Sequence, residues 1–142
     1  MKEQNFKNHA RFVIGYHVIS FVAILALLIG SFINLAHSAK ENLYSASLIC
    51  LIALILALFF IYLRTFPLKA QDRAIRAEEN LRHFILTGKP LSDKLTINQI
   101  IALRFASDAE YLDLVTKAIE QNLAPKQIKE SIKNWRADHH RA

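Results

Sequence analysis

The chain has 142 residues, of which 53% are hydrophobic and 21% charged, with a net charge of +6 and one cysteine. This length limits it to one domain or a small two-part molecule. A single cysteine excludes an intramolecular disulfide framework, and no cysteine–histidine zinc spacing is present. The positive charge suggests nucleic acid, but no surface aromatics are interleaved with the basic residues, so we expect no nucleic-acid partner.

Two long apolar runs dominate the sequence and predict two transmembrane helices. Residues 12–35 and residues 45–63 contain no Lys, Arg, Asp or Glu, and about 20 apolar residues are enough to cross a bilayer. Residues 36–44 are short and polar and predict an extracytoplasmic loop. The first run is longer than the apolar core of a secretory signal peptide, which favours a retained span. The sequence therefore predicts a helical hairpin in a membrane.

Basic residues flank the two spans unequally. Lys2, Lys7 and Arg11 precede the first span. Lys40 alone lies between the spans, and a larger basic group begins at Arg64. Counting basic residues near the span ends therefore predicts that both termini lie in the cytoplasm.

Residues 1–11 form an N-terminal interfacial segment that is rich in amide and imidazole side chains. Gln4, Asn5, Asn8 and His9 surround Phe6. One interpretation is a solvated segment that leads into the membrane. The other is a cap that hydrogen-bonds to the protein's own cytoplasmic part.

Small residues recur at helical spacing in both spans and predict packing surfaces. Small side chains let helix backbones approach closely in lipid, where no hydrophobic driving force acts between helices. We expect the two stripes to meet each other or to meet a second copy. The helix-packing candidates are Ala23, Ala26, Gly30, Ala46, Cys50, Ala53 and Ala57.

Polar side chains along the first span form a candidate functional face. His17 is the one His, Lys, Arg, Asp or Glu within the spans, and it serves either as a neutral structural imidazole or as a proton or ligand sensor. The absence of Asp and Glu from both spans weighs against ion-coupled transport. The residues of this possible pore-lining face are Tyr16, His17, Ser20, Ser31 and Asn34.

Residues 64–89 predict a juxtamembrane amphipathic helix. Pro67 is expected to end or kink the second span, and Gly88 with Pro90 to stop the new helix. One face predicts contact with lipid headgroups through Arg64, Lys69, Arg73 and Arg76. The alternative is that the alanine-rich face packs on other subunits. That face consists of Ala70, Ala74, Ala77, Leu81, Phe84 and Ile85.

Residues 90–142 predict a cytoplasmic helical domain of three short helices. Capping-box patterns open the first two helices, and a proline suits the first position of the third. Because fewer than about 70 residues rarely supply a sufficient core, we expect the domain to borrow core from the preceding helix or another subunit. The pattern residues are Thr96 with Gln99, Ser107 with Glu110, and Pro125. The residues expected to be buried in the last two helices are Leu112, Val115, Ile119, Ile128, Ile132 and Trp135.

Sites for chemistry are sparse in this sequence. It has no phosphate-binding Gly-rich loop and no HExxH or GxSxG motif, so it predicts no catalytic residue and no cofactor. The nearest approach to a metal cluster is His9 with Asp138, His139 and His140. Adjacent residues rarely converge on one ion, so a metal site would need additional ligands.

Three segments carry a resemblance to a known family. They are QNFKNHAR at residues 4–11, ALRFASD at residues 102–108 and IKNWRADHHR at residues 132–141. Together they resemble a family of small bacterial two-span membrane proteins that is known as a domain of unknown function. The resemblance covers essentially the whole chain. It implies a bacterial inner-membrane protein, and it implies no activity.

The sequence therefore predicts an all-α protein whose membrane hairpin is followed by a juxtamembrane helix and a three-helix cytoplasmic unit. The leading function hypothesis is a non-enzymatic structural or adaptor protein, surrounded by membrane lipids. It self-associates as a homo-oligomer and presents its cytoplasmic domain to a protein partner. The first alternative is an oligomeric pore or permeation subunit. The third hypothesis is a metal- or proton-sensing membrane protein or an enzyme.

Overall fold

A computed structural model describes residues 4–6 and 12–138, and the regular elements in these residues are helices. One isolated antiparallel β-bridge joins Ala106 to Trp135. The all-α class is confirmed for this part of the chain. The elements are a π-helical segment Gly15–Ser20, α1 Phe21–His37, a 3₁₀ turn Lys40–Asn42, α2 Leu43–Thr87, α3 Ile97–Leu103, α4 Asp108–Glu120 and α5 Pro125–Ser131.

The described residues divide into two compact units. The first, the apolar unit, comprises residues 12–67. The second, the C-terminal unit, comprises residues 68–138 together with residues 4–6. The two units differ in how much of their apolar side-chain surface is exposed.

The apolar unit exposes most of its bulky side chains. Two helices, Gly15–His37 and Lys40–Thr87, are long and apolar enough to cross a membrane. Few side chains in their apolar windows are buried; Ile33 is 57% exposed and Leu63 is 68% exposed. Soluble monomers rarely expose a continuous apolar surface of this extent.

The small-residue stripe of α2 lies inside the apolar unit. Ala46, Cys50 and Ala53 follow steps of four and three, and all three are buried. Ala57 extends the stripe and is half-buried. This stripe is therefore where α2 is closely packed by its own chain.

The small residues of α1 have a different environment. Ala23, Ala26 and Gly30 are exposed, and a Cβ atom added at Gly30 would meet no atom within 4 Å. The buried residue of α1 is Ser31, whose hydroxyl donates to the carbonyl oxygen of Leu28 at 2.8 Å. The face with Ala23, Ala26 and Gly30 is therefore exposed in the described chain, and the expectation that the two stripes meet each other or a second copy stays a prediction.

Pro67 lies inside α2 and does not end it. Proline removes only its own N–H donor and disturbs the bond to the residue four positions earlier. The remaining backbone bonds of this 45-residue helix continue on both sides. Of the two expectations for Pro67, a helix end is not observed, and a kink stays a prediction. The second span and the juxtamembrane segment are parts of one helix.

The end of α2 follows the sequence prediction. The helix ends at Thr87, and Gly88 follows with φ 72°. Its N–H donates to the carbonyl oxygen of Phe84 at 2.7 Å. A residue with a left-handed backbone is common just after a helix, and glycine adopts it without steric cost.

Helices α3, α4 and α5 pack against one another around a single core. Ile75 of α2 packs in this core. The expectation that the preceding helix contributes side chains to the core is therefore confirmed. The other buried residues are Leu91, Leu95, Ile100, Ala102, Leu103, Phe105, Ala106, Tyr111, Leu114, Val115, Ala118, Ile128 and Ile132.

The start of α3 matches the sequence pattern. Gln99 N–H donates to the Thr96 hydroxyl, and the Gln99 side chain accepts from Thr96 N–H, so the capping box is confirmed. In α5, Pro125 occupies the first turn as expected.

The buried face of α4 differs from the prediction. Val115 is buried as expected, but Leu112 and Ile119 are only half-buried. Tyr111 is fully buried instead, because its hydroxyl finds a carbonyl acceptor within the unit. Hydrophobic spacing alone does not identify a tyrosine with such a partner as a core residue.

We predict that Ala53→Leu destabilises the apolar unit by about 1–3 kcal/mol, since it adds volume at a fully buried position. Thermal unfolding in detergent micelles measures the loss. Ala36→Leu, the same change at an exposed position of α1, is the matched control. Equal losses for the two variants would contradict the packing described.

Candidate functional site

The three segments that carry the family resemblance meet in the C-terminal unit. The N-terminal segment contributes Gln4, the middle segment contributes residues 104–108, and the last segment contributes residues 134–138. They are separated by up to about 130 positions along the chain, so tertiary contacts bring them together. We call this set of contacts the motif junction.

Backbone hydrogen bonds join the middle and last segments. The Arg136 N–H donates to the Phe105 carbonyl at 2.7 Å, and the Ser107 N–H donates to the Asn134 carbonyl at 3.1 Å. These bonds flank the β-bridge that includes Trp135. The chain after α5 is therefore fixed against the loop before α4.

Aromatic and cationic side chains cover this bridge. The rings of Phe105 and Trp135 lie 5.1 Å apart between centroids. The guanidinium of Arg104 lies 4.6 Å from the centre of the Phe105 ring. Contacts of this kind add stabilisation beyond the buried area alone.

The carboxylate of Glu110 also fixes the last segment. It accepts from the N–H groups of Lys133 at 3.1 Å and Asn134 at 2.9 Å. Ser107 is the residue before α4, but its side chain makes no capping bond. The expected Ser107–Glu110 capping box is therefore wrong, because Glu110 binds backbone donors in another segment.

Gln4 binds the backbone of Asp138 in the manner of a paired strand. Its Nε2 donates to the Asp138 carbonyl at 3.3 Å, and its Oε1 accepts from the Asp138 N–H at 2.7 Å. The Asp138 carboxylate in turn lies 3.3 Å from Nη1 of Arg104. For Gln4, the second interpretation of the N-terminal segment, a cap on the protein's own domain, is confirmed.

A buried ionic cluster adjoins the motif junction and is centred on Arg82 of α2. Arg82 and Glu79 are 9% and 5% exposed. Arg82 Nη1 donates to Glu79 Oε2 at 3.2 Å and Nε donates to Asp108 Oδ1 at 2.7 Å. Nη2 donates to the Ala106 carbonyl at 2.7 Å, and the guanidinium lies 4.2 Å from the centre of the Tyr111 ring. Every edge of the guanidinium thus has a partner.

Burial shapes the proton equilibria of this cluster. Burial raises the pKa of Glu79 above its ordinary value of 4.5, and the nearby charge of Arg82 opposes the rise without cancelling it. Burial and the Glu79 charge raise the pKa of Tyr111 as well. Its hydroxyl therefore stays protonated and donates to the Glu79 carbonyl at 3.3 Å.

A cavity of about 450 Å³ opens beside the cluster, between α2 and the motif junction. Its lining carries charged groups of both signs. Such a lining can hold a polar group through ion pairs and hydrogen bonds. The polar lining residues are Gln71, Glu78, Glu79, Arg104, Arg136 and Asp138.

Most residues of the predicted polar face of the first span form hydrogen bonds within the apolar unit. The Tyr16 hydroxyl donates to the Phe60 carbonyl, and the two rings stack 4.5 Å apart. His17 Nδ1 lies 3.0 Å from the Val13 carbonyl oxygen. The Ser20 hydroxyl donates to the carbonyl five residues earlier at 3.0 Å. The Ser31 hydroxyl also bonds to a carbonyl of its own helix. These polar side chains therefore have backbone partners within the apolar unit.

The predicted headgroup residues lie along α2. Lys69, Arg73 and Arg76 are exposed, and Arg64 is half-buried. Arg76 lies 3.9 Å from Asp93, a surface pair that adds little stability.

Only one of the four candidate metal ligands, Asp138, lies within the described residues. His9, His139 and His140 lie outside them. Asp138 lies within them and pairs with Arg104. Residues 4–6 and 12–138 contain no group of three His, Cys, Asp or Glu side chains that could hold a metal ion.

Sequence reasoning missed Glu79 and Arg82 as a buried pair. Their signal was spacing: Ile75, Glu79 and Arg82 follow steps of four and three, so they share one face of α2. Two opposite charges on the face of a core isoleucine indicate a buried pair rather than a solvated surface.

Comparison with known proteins gives a family. The model of DUF6526, a family of unknown function, matches residues 1–142. The chain therefore belongs to this family. No curated protein and no solved structure matches it.

We predict that Arg82→Met destabilises the C-terminal unit by about 3–5 kcal/mol, because Glu79 would be left buried without its cation. Urea unfolding of the full-length protein in detergent, followed by Trp135 fluorescence, measures this loss. The double variant Glu79→Met with Arg82→Met should recover much of it. Arg76→Met, a change at an exposed arginine of the same helix, is the control. If Arg76→Met lowers the free energy of unfolding as much as Arg82→Met does, the buried cluster does not contribute the stability proposed for it.

We expect Gln4→Ala to cost about 0.5–1.5 kcal/mol and to speed hydrogen exchange at the Asp138 amide, because that N–H loses its acceptor. Amide exchange resolved by NMR or mass spectrometry reports it. Gln121→Ala at an exposed position serves as the control. Unchanged protection at Asp138 would show that Gln4 does not hold the C-terminal segment.

Proposed function

We propose that this DUF6526 protein is a non-enzymatic adaptor of a bacterial inner membrane. In this proposal it spans the bilayer as a helical hairpin and self-associates. Its C-terminal unit lies in the cytoplasm and is presented to a protein partner.

The observation that carries the proposal is the contrast between the two surfaces. Bulky side chains of the apolar unit are exposed along both helices, whereas the C-terminal unit buries a core of its own. Burying an exposed Leu or Ile side chain is worth about 1.5–3 kcal/mol each. Hydrocarbon supplies that gain for dozens of side chains at once, and no cover from the same chain is present among the described residues.

Polar groups in the apolar unit also suit hydrocarbon. Helices such as α1 and α2 bond most backbone groups within themselves, which suits a segment that crosses a bilayer. The hydroxyls of Tyr16, Ser20 and Ser31 donate to carbonyl oxygens of the same unit. Such bonds remove the cost of carrying these groups into lipid.

The contact between Gln4 and Asp138 supports an even number of spans. These residues lie before the first apolar helix and after the second, and they bond to each other in one unit. Both must therefore lie on the same side of any membrane that residues 12–67 cross. The excess of basic residues on that side supports the cytoplasm.

The motif junction supports a structural role rather than a reaction centre. The charged groups of the motif junction and of the adjoining Arg82 cluster bind one another and backbone atoms, as Arg82, Glu110 and Asp138 do. Satisfied networks of this kind rigidify a fold. A rigid unit on a membrane anchor is suited to holding a partner in place.

The pore alternative requires the polar face of the first span to border water in an oligomer. Of Tyr16, Ser20, Ser31 and Asn34, only Asn34 is exposed. The adaptor is therefore the better supported of the two.

The proposal predicts a specific labelling pattern in intact cells. In a Cys50→Ala background, cysteine at Glu41 should react with a membrane-impermeant maleimide added outside. Cysteine at Lys94 should react only after the inner membrane is opened. Both positions are exposed in the structure, so access through the membrane decides the difference.

Labelling of Lys94→Cys from outside at the same rate as Glu41→Cys would overturn the proposed orientation. Recovery of the protein in the supernatant of a detergent-free high-speed spin would overturn the membrane span itself.

A further inference from the structure

We infer that residues 70–85 of α2 pair with the same residues of a second copy in a parallel, two-fold symmetric coiled coil. This inference rests on the proposed function, since it names the surface through which the adaptor self-associates. It goes further by fixing the register, the direction and one interchain ion pair.

The surface in question lies on α2 away from the face that packs on the core, and one edge of it, at Ala74 and Leu81, lines cavities beside the C-terminal unit. Ile75, Glu79 and Arg82 form the buried face. About half a helical turn away lies an exposed apolar row, which we call the seam. Within it Leu81 is 59% exposed and Phe84 is 53% exposed. The seam consists of Ala70, Ala74, Ala77, Leu81 and Phe84.

The spacing of the seam is that of a coiled coil. Its members follow steps of four, three, four and three, which is a 3.5-residue repeat. The three alanines allow close approach of two helices. Leu81 and Phe84 supply apolar area, and Ile85 beside them is 73% exposed. A second helix would bury all of these side chains together.

The charges beside the seam are complementary to themselves under a two-fold axis. Arg73 borders one side and Glu78 borders the other, five residues further on. In a parallel coiled coil, a residue at the g position meets the e position of the partner five residues later. Arg73 of each copy therefore meets Glu78 of the other. Within the described chain neither side chain has an ion-pair partner.

This charge pattern selects a second copy over an anionic lipid surface. A helix that lies on lipid carries Lys or Arg along its polar face. Here Glu78 directly borders the apolar row, so one side of the seam would be repelled. An isologous interface must be complementary to itself, and one acidic and one basic border meet that condition.

Membrane insertion fixes the direction of pairing. Two copies inserted with the same orientation carry α2 in the same direction. Only a parallel arrangement can then align Arg73 with Glu78 of the partner.

Disulfide trapping in native membranes tests the inference on the full-length chain. In a Cys50→Ala background, Ala74→Cys and Ala77→Cys should form dimers on mild oxidation. The control Arg76→Cys, exposed but off the seam, should crosslink several-fold more slowly, because a disulfide needs Cβ atoms about 3.5–4.5 Å apart. Equal rates at Ala77→Cys and Arg76→Cys, or no dimer at either seam position, would overturn the inference.

A charge swap tests the ion pair, since both side chains are exposed. Glu78→Arg should reduce crosslinking at Ala77→Cys several-fold. The double swap Arg73→Glu with Glu78→Arg should restore it. Failure of the double swap to restore crosslinking would overturn the assigned register.

Native mass measurement of the unmodified protein separates failure of the seam from failure of the proposed function. A multiple of 16.2 kDa without seam crosslinks overturns the coiled coil while self-association stands. A mass of 16.2 kDa alone, in the detergent that preserves the fold, overturns self-association and the seam together.

Discussion

The structure depends first on keeping the apolar surface of residues 12–67 away from water. That unit buries a narrow stripe of small residues and leaves its large side chains outside. In water, each exposed aliphatic side chain forgoes about 1.5–3 kcal/mol that burial would supply. A bilayer removes the penalty without any further contact within the chain. The even number of spans that we propose rests on a second observation, the contact between Gln4 and Asp138.

The C-terminal unit solves a different problem, which is stability with a small core. Its helices share a core with Ile75 of α2, and α2 also inserts Arg82 into the unit. Burying a guanidinium is costly unless each donor has an acceptor. Here carboxylates and a backbone carbonyl supply them. The Arg82 cluster therefore ties α2 to the loop before α4, and the motif junction ties both chain ends to the same place.

Sequence patterns identified the helices and the apolar runs because those depend on local periodicity. The capping box at Thr96 and the helix stop at Gly88 were predictable for the same reason. A helix end at Pro67 was one of two expectations, but α2 continues through this proline, because proline disturbs only the hydrogen bonds next to it. The roles of Glu110 and Tyr111 could not be predicted, since each depends on a partner at least 23 positions away. For Gln4 the sequence offered a cap on the protein's own domain as one of two interpretations, but it did not identify Asp138 as the partner. The burial of Glu79 and Arg82 was predictable in principle from their spacing with Ile75, and the site they form was not.

The central claim is that hydrocarbon surrounds the exposed side chains of the apolar unit. Spin labels attached one at a time at Leu51, Leu54 and Leu58, in a Cys50→Ala protein reconstituted into liposomes, test it directly. The account predicts high accessibility to dissolved oxygen and low accessibility to a polar nickel complex at these exposed positions. A label at Lys69 should show the reverse. High accessibility to the nickel complex at all four positions would contradict the account.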